Sequence, residues 1–174
     1  SGQIFKTPKN LNLDLGQDYR ADALELLPGG KDYIGFAPGS GGKPKCWDLK
    51  NFIRLAEAEA EQNRVPVFFL GPQDPEWMAP VHAQVPSALF PLQIKDNDFD
   101  PLYTIALAER MSATVSNDSG VGHMMALGGK PLVSLFGPTV PEKFMPMGNK
   151  LTIIEAKTFG GRNMSLIPYD AVAK

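Results

Sequence analysis

The chain has 174 residues, 43% of them hydrophobic and 21% charged, a balance that suits one globular domain with a sizeable core. Seventeen Lys and Arg against nineteen Asp and Glu leave a formal charge of −2, which excludes a general attraction for nucleic acid or an anionic membrane, so any anion site has to be local. The single cysteine, Cys46, excludes an internal disulfide, no run reaches the ~20 apolar residues of a membrane span, and SGQIFKTPKN has no signal-peptide pattern, so a cytoplasmic protein is expected.

The first residues are Ser1-Gly2 rather than Met, which fits a piece cut from something longer. Residues 3–31 carry little pattern until Tyr19 to Leu27, where Ala21, Leu24 and Leu27 fall at helical spacing before the Pro28-Gly29-Gly30 breaker. The pattern then alternates. A strand is expected at Tyr33 to Ala37, a helix at Leu49 to Gln62, a strand at Val65 to Leu70, a helix at Pro75 to Gln84 and a short strand at Ala88 to Leu92. A helix at Pro101 to Met111, a strand at Ala113 to Ser116, a helix at Val121 to Leu127, and strands at Pro131 to Phe136 and Leu151 to Glu155 complete the series. Apolar runs separated by helices are what βαβ crossovers produce, so the expected class is α/β, a parallel sheet with helices on both faces. Asp48 and the pair Asp100-Pro101 have the chemistry of helix starts. Phe52 and Leu55, and Met124, Met125 and Leu127, read as core, whereas Trp47 is open.

In such a sheet, ligands collect at the carboxyl ends of the strands. The loop 37–47, APGSGGKPKCW, has glycines that can turn backbone N–H groups toward a ligand and two lysines that add charge, which suits a diphosphate. It lacks the order of a Walker loop, and a flexible turn explains it as well. The loop Ser116-Asn117-Asp118-Ser119-Gly120-Val121-Gly122-His123 runs from a buried strand into a helix, whose N-terminus favours phosphate, while Asp118 could accept sugar hydroxyls. The alternative is that Asp118 or Ser119 merely caps the helix and His123 is a half-buried residue bonded to a carbonyl. Phe136-Gly137-Pro138-Thr139-Val140-Pro141 offers the Thr139 hydroxyl at the same edge, or is an ordinary turn. After the second strand, Gln73-Asp74-Pro75-Glu76 could place a carboxylate on ribose hydroxyls.

Other patterns carry less. Asp96-Asn97-Asp98 fits a D-x-D metal motif but lies in a polar stretch that a solvated loop explains. His82, His123 and Cys46 are too scattered for zinc, and Asn117 stands where a nucleophile elbow requires its first glycine. Basic residues form no stripe with aromatics, so nucleic acid is not an expected partner.

The order of the motifs Pro38-Gly39-Ser40, Lys45-Cys46-Trp47, Leu70-Gly71-Pro72, Asn117 to His123 and Gly129 to Thr139 resembles the C-terminal domain of glycosyltransferase family 9, which contains the lipopolysaccharide heptosyltransferases. The resemblance covers roughly residues 33 to 141. It implies a GT-B architecture, in which two Rossmann-like domains face each other across a cleft, and it makes 32–174 the nucleotide-sugar-binding domain and 1–31 a linker with a first helix. It implies catalytic roles for Lys45, on the diphosphate, and Asp118, on the transferred sugar. Donor contacts would also come from Ser40, Glu76, Ser119, Gly120, His123 and Thr139, with Asp74 as a rival to Glu76 for the ribose.

The family implies no cofactor and no metal, with ADP-heptose as co-substrate and a lipid-linked or glycan acceptor such as the lipopolysaccharide core. The general base belongs to an N-terminal acceptor-binding domain, for which nothing before Tyr33 is long enough, so the chain alone is expected to bind donor without transferring it. The full-length protein would act at the inner face of the inner membrane. Two departures, Cys46 where a basic or polar residue is commoner and the longer stretch Gln93 to Asp100, bear on sugar preference. A non-catalytic nucleotide-binding module, or a GT-B enzyme with a different nucleotide sugar, are the alternatives.

Overall fold

The computed structural model describes residues 13–72, 74–94 and 99–174. Five strands, β1 (Tyr33–Ala37), β2 (Val65–Phe68), β3 (Ala113–Asn117), β4 (Leu132–Phe136) and β5 (Leu151–Glu155), form one sheet in the order β2-β1-β3-β4-β5 with every pairing parallel. Parallel neighbours need crossovers, and helices supply most of them. They are α1 (Gln17–Leu26), α2 (Leu49–Glu61), α3 (Met78–Gln84), α4 (Pro91–Ile94), α5 (Pro101–Ala108), α6 (Gly120–Leu127), α7 (Pro141–Phe144) and α8 (Tyr169–Val172). The α/β architecture expected from the sequence is therefore present.

Alternate strand residues feed two cores, as a period of two requires. Ile34, Phe36, Phe68, Val115 and Leu135 face one side, with Trp47, Phe52 and Leu55 from the α2 region and Val81 of α3. Tyr33, Ala37, Val67, Phe69 and Leu132 face the other, with Ala23 of α1, Tyr103 to Ala108 of α5 and Met125 of α6. Phe36 and Phe68 stack at 5.2 Å and Trp47 meets Phe52 edge-on at 5.4 Å. Phe52, Leu55 and Met125 are thus core as expected, Met124 and Leu127 are half-buried, and Trp47 joins the core fully.

Four expectations shift. Ala88 to Leu92 is not a strand: it contributes one parallel bridge, Val67 to Leu89, and Pro91 then opens α4, because a proline has no N–H to extend a ladder but fits a first helical turn. With that bridge counted, the sheet has the order of a doubly wound nucleotide-binding fold. The helix from Pro75 begins as a tight 3-10 turn, Pro75–Trp77, before α3. The third shift is at element ends, where the helix from Pro101 stops at Ala108 and β2 at Phe68.

The fourth shift concerns α1, whose buried face is Tyr19, Ala23, Leu26 and Leu27 rather than the Ala21–Leu24–Leu27 stripe, leaving Leu24 48% exposed. This face packs on α5, where Tyr19 donates to Asp100 at 2.7 Å and Arg20 pairs with Glu109 at 2.8 Å. Both expected carboxylate caps are formed: Asp48 accepts from Lys50 N and Asp100 from Leu102 N.

A C-terminal segment of short turns, Ala156–Phe159 and Met164–Leu166, followed by α8, returns across the first core. Among the described residues, no helix is long and apolar enough to cross a membrane.

Candidate donor-binding site

The connections after β1 and β3 leave the sheet in opposite directions, β1 toward β2 and β3 toward β4, so the carboxyl ends of these neighbours flank a switch point. Asn117, the last residue of β3, is fully buried there. Its amide donates to Pro38 O at 2.6 Å and its Oδ1 accepts from Trp47 N at 3.1 Å, which ties both ends of the glycine-lysine loop to β3. Trp47 anchors that loop further, since its ring N–H donates to Ile167 O at 2.9 Å. A buried amide with its partners satisfied fixes geometry, because leaving either partner unpaired would cost about 1–3 kcal/mol.

Asp118 stands at the centre, 6% exposed. Its Oδ2 accepts from Lys45 Nζ at 3.0 Å, at the end of the Lys43–Lys45 turn, and from Thr139 Oγ1 at 2.7 Å, in the loop after β4. Its backbone carbonyl accepts from Ser40 Oγ at 2.8 Å. The loops after β1 and β4 therefore converge on the carboxylate that follows β3, and Oδ1 has no hydrogen bond from the described residues. Lys45 is one-third exposed and its Nζ, with three donors, uses one of them on Asp118.

Asp118 is not the cap of α6. Ser119 is, its hydroxyl accepting from Gly122 N at 3.2 Å, which leaves the first N–H groups of α6 at the same edge. His123 is exposed on α6 and its ring has no hydrogen-bond partner among the described residues, so it is not a half-buried residue tied to a carbonyl.

Toward β2 the edge opens into a cavity of about 290 Å³ walled by Phe69, Leu92, Phe99 and Met124 and floored by the loops of Gly39 and Gly71. Asp74 lines it, whereas Glu76 is exposed on the Pro75–Trp77 turn and does not. Burial pushes the Asp74 carboxyl above its ordinary range; a hydrogen bond from the Gly71 backbone opposes this, and the Glu76 charge adds to it. Burial likewise raises the Cys46 thiol, with the Asp74 charge adding to it and a hydrogen bond from the Ser40 backbone opposing.

Among the described residues no three His, Cys, Asp or Glu side chains come together as a metal cluster, and Asp96-Asn97-Asp98 lies outside the described residues. Of the residues singled out from the sequence, the structure brings Ser40, Lys45, Asp118, Ser119, Gly120 and Thr139 to one edge. Asn117, which in the sequence blocks a nucleophile elbow and opens the Asn117 to His123 motif, takes a clamping role that neither pattern expresses; a polar side chain closing an apolar strand is its signal.

A doubly wound parallel sheet that gathers a lysine, a buried carboxylate and a helix start outside its strand ends is a Rossmann-like ligand-binding domain of the kind found in GT-B glycosyltransferases. The chain belongs to glycosyltransferase family 9 (heptosyltransferase), whose family model matches residues 5–164.

It is 31% identical over 135 residues to lipooligosaccharide heptosyltransferase 2 of Haemophilus influenzae, covering 74% of this chain and 38% of that protein. It is 28% identical over 166 residues to lipopolysaccharide heptosyltransferase 2 of Escherichia coli, covering 83% and 46%. The solved structure of E. coli ADP-heptose lps heptosyltransferase II superposes with a TM-score of 0.77 at 25% identity, covering 95% of this chain and 53% of that one. A family 9 glycosyltransferase from Veillonella parvula gives 0.80 at 25% identity, covering 94% and 52%. The chain thus spans about half the length of these relatives, or less.

Proposed function

We propose that this chain is the donor-binding domain of a heptosyltransferase that moves heptose from ADP-heptose to a lipopolysaccharide core or a related glycan. The observation that carries the reading is the convergence of Lys45 and Thr139 on the buried Asp118 beside the α6 N-terminus. A nucleoside would lie in the cavity toward β2, with Asp74 favoured over Glu76 for the ribose hydroxyls because Asp74 lines that cavity. The diphosphate would meet the N–H groups at Ser119 and Gly120 and the Lys45 ammonium, with Ser40 and His123 at its margins.

In transfer, the acceptor hydroxyl attacks the anomeric carbon, the bond from that carbon to the diphosphate breaks, and the hydroxyl proton passes to a base. The base would belong to an N-terminal domain that also binds the acceptor, and the shares of the relatives left uncovered support this. Lys45 and the α6 amides would offset the charge growing on the leaving diphosphate, which is preorganised electrostatic catalysis. The chemistry needs no metal or cofactor, and the full-length enzyme would work on the cytoplasmic face of the inner membrane. Calorimetry of this chain with ADP, UDP, GDP and ADP-heptose tests the reading. Binding is expected for ADP and ADP-heptose without turnover, and a folded chain that binds neither, or that transfers heptose alone, overturns it.

A further inference from the structure

A second recess, of about 340 Å³, opens on the other side of Asp118, at the ends of β4 and β5. Thr139, Glu142, Glu155, Lys157 and Arg162 line it. Its wall is close-packed: a Cβ on Gly137 would lie 2.6 Å from Met164 Sδ and 3.0 Å from the Arg162 carbonyl, so the absence of a side chain there lets the Arg162 backbone approach the loop after β4. The two carboxylates and two cations form no ion pair with each other or with any other described residue. Nor do they share the character of the cavity toward β2, which is walled by apolar side chains.

The balance of charge decides what fits. Two cations alone would suit a phosphate, but two carboxylates in the same wall repel one. Carboxylates that accept and cations that donate, with net charge near zero, match a neutral polyhydroxylated group, each hydroxyl both giving and taking a hydrogen bond. Position decides which group. The sheet order places the apolar cavity at β2, β1 and β3, Asp118 at the end of β3, and the charged recess at β4 and β5, and Thr139 lines the recess while its hydroxyl donates to Asp118. A nucleotide sugar laid along this edge with its base in the first and its diphosphate at Lys45 has its sugar pointing into the second.

We infer that the recess of Glu142, Glu155, Lys157 and Arg162 receives the hydroxyls of the transferred sugar and sets which sugar is carried. This rests on the donor-binding reading above. The 174-residue chain is titrated by calorimetry with ADP and with ADP-heptose, as wild type, as Glu155→Gln, which keeps shape and removes charge, and as Arg162→Gln, which shortens the side chain and removes charge. Each variant is expected to lower ADP-heptose affinity about 10-fold, the loss of one charged hydrogen bond, while ADP affinity stays within about twofold.

Unchanged ADP-heptose affinity with ADP binding intact overturns this inference alone, as does an equal loss for both ligands. A wild-type chain that binds neither ligand overturns the donor-binding reading and this one with it. In the full-length enzyme, a raised acceptor KM with unchanged donor affinity would assign the recess to the acceptor instead and overturn it.

Discussion

The two recesses that flank Asp118 are built from different chemistry although the same sheet edge makes both. Toward β2 the walls are Phe69, Leu92, Phe99 and Met124, with the Asp74 carboxylate set into glycine-bearing loops; toward β5 they are charged side chains without ion-pair partners among the described residues. An apolar slot with one acidic group discriminates by shape and stacking, whereas a wall of unpaired donors and acceptors discriminates by hydrogen bonds, and the second kind rejects a wrong hydroxyl pattern more strongly. One donor molecule could thus be read twice, loosely at its base and closely at its sugar.

The largest expected effect comes from removing what holds both sides together. Trp47 is buried in the first core and bonds Ile167, so it fastens the Lys45 loop to the C-terminal segment that carries Arg162. Trp47→Ala should cost about 3–5 kcal/mol of stability by denaturant unfolding, as truncation of a core aromatic does. A loss under about 1 kcal/mol would mean that the two recesses are supported separately.

At the junction itself, Lys45→Met removes the ammonium that bonds Asp118 and that, on the proposed reading, would meet the diphosphate. In the full-length enzyme, turnover should fall about 10²–10³-fold, the scale of one lost electrostatic donor. Asp118 keeps its bond from Thr139, so the fold should persist. Retained turnover would remove Lys45 from the leaving-group site.

Gly39→Ala separates the two sides. A Cβ there would lie 2.3 Å from Asp74 Oδ2, the free end of a side chain that can swing away. ADP affinity should drop about 10-fold, or ~1.4 kcal/mol, while the extra affinity that heptose adds over ADP stays constant. A change in that extra affinity would show that the two recesses communicate.

The sequence made the sheet legible because its strands are apolar runs bounded by turn residues, and the loops 37–47 and 116–123 were legible because glycine, lysine and aspartate stood at strand ends. What pattern could not supply was long-range. In Ala88 to Leu92 the apolar run hides the one local sign, Pro91, which cannot extend a ladder and opens a helix, and no spacing places Thr139 on Asp118 across 21 residues. The charged recess is not legible in the sequence because Glu155, Lys157 and Arg162 share no motif spacing, and only the C-terminal turns bring them together.

The smallest effect concerns Asp74 and Cys46. Because burial raises the folded Asp74 carboxyl above its ordinary 3.8, its contribution to stability is full below that pH and is lost as pH rises through the folded value. Asp74→Asn should therefore flatten the mildly acid arm of a stability-against-pH profile. The same substitution removes a negative charge that raises the Cys46 thiol, so alkylation of Cys46 should set in at a lower pH than in the wild type. Burial, the larger cause, remains, and the onset should still lie above that of a free thiol. An alkylation profile that does not move would place the Asp74 charge too far from the loop of Ser40 and Lys45 to act there, and the apolar recess would then be tied to that loop by packing alone.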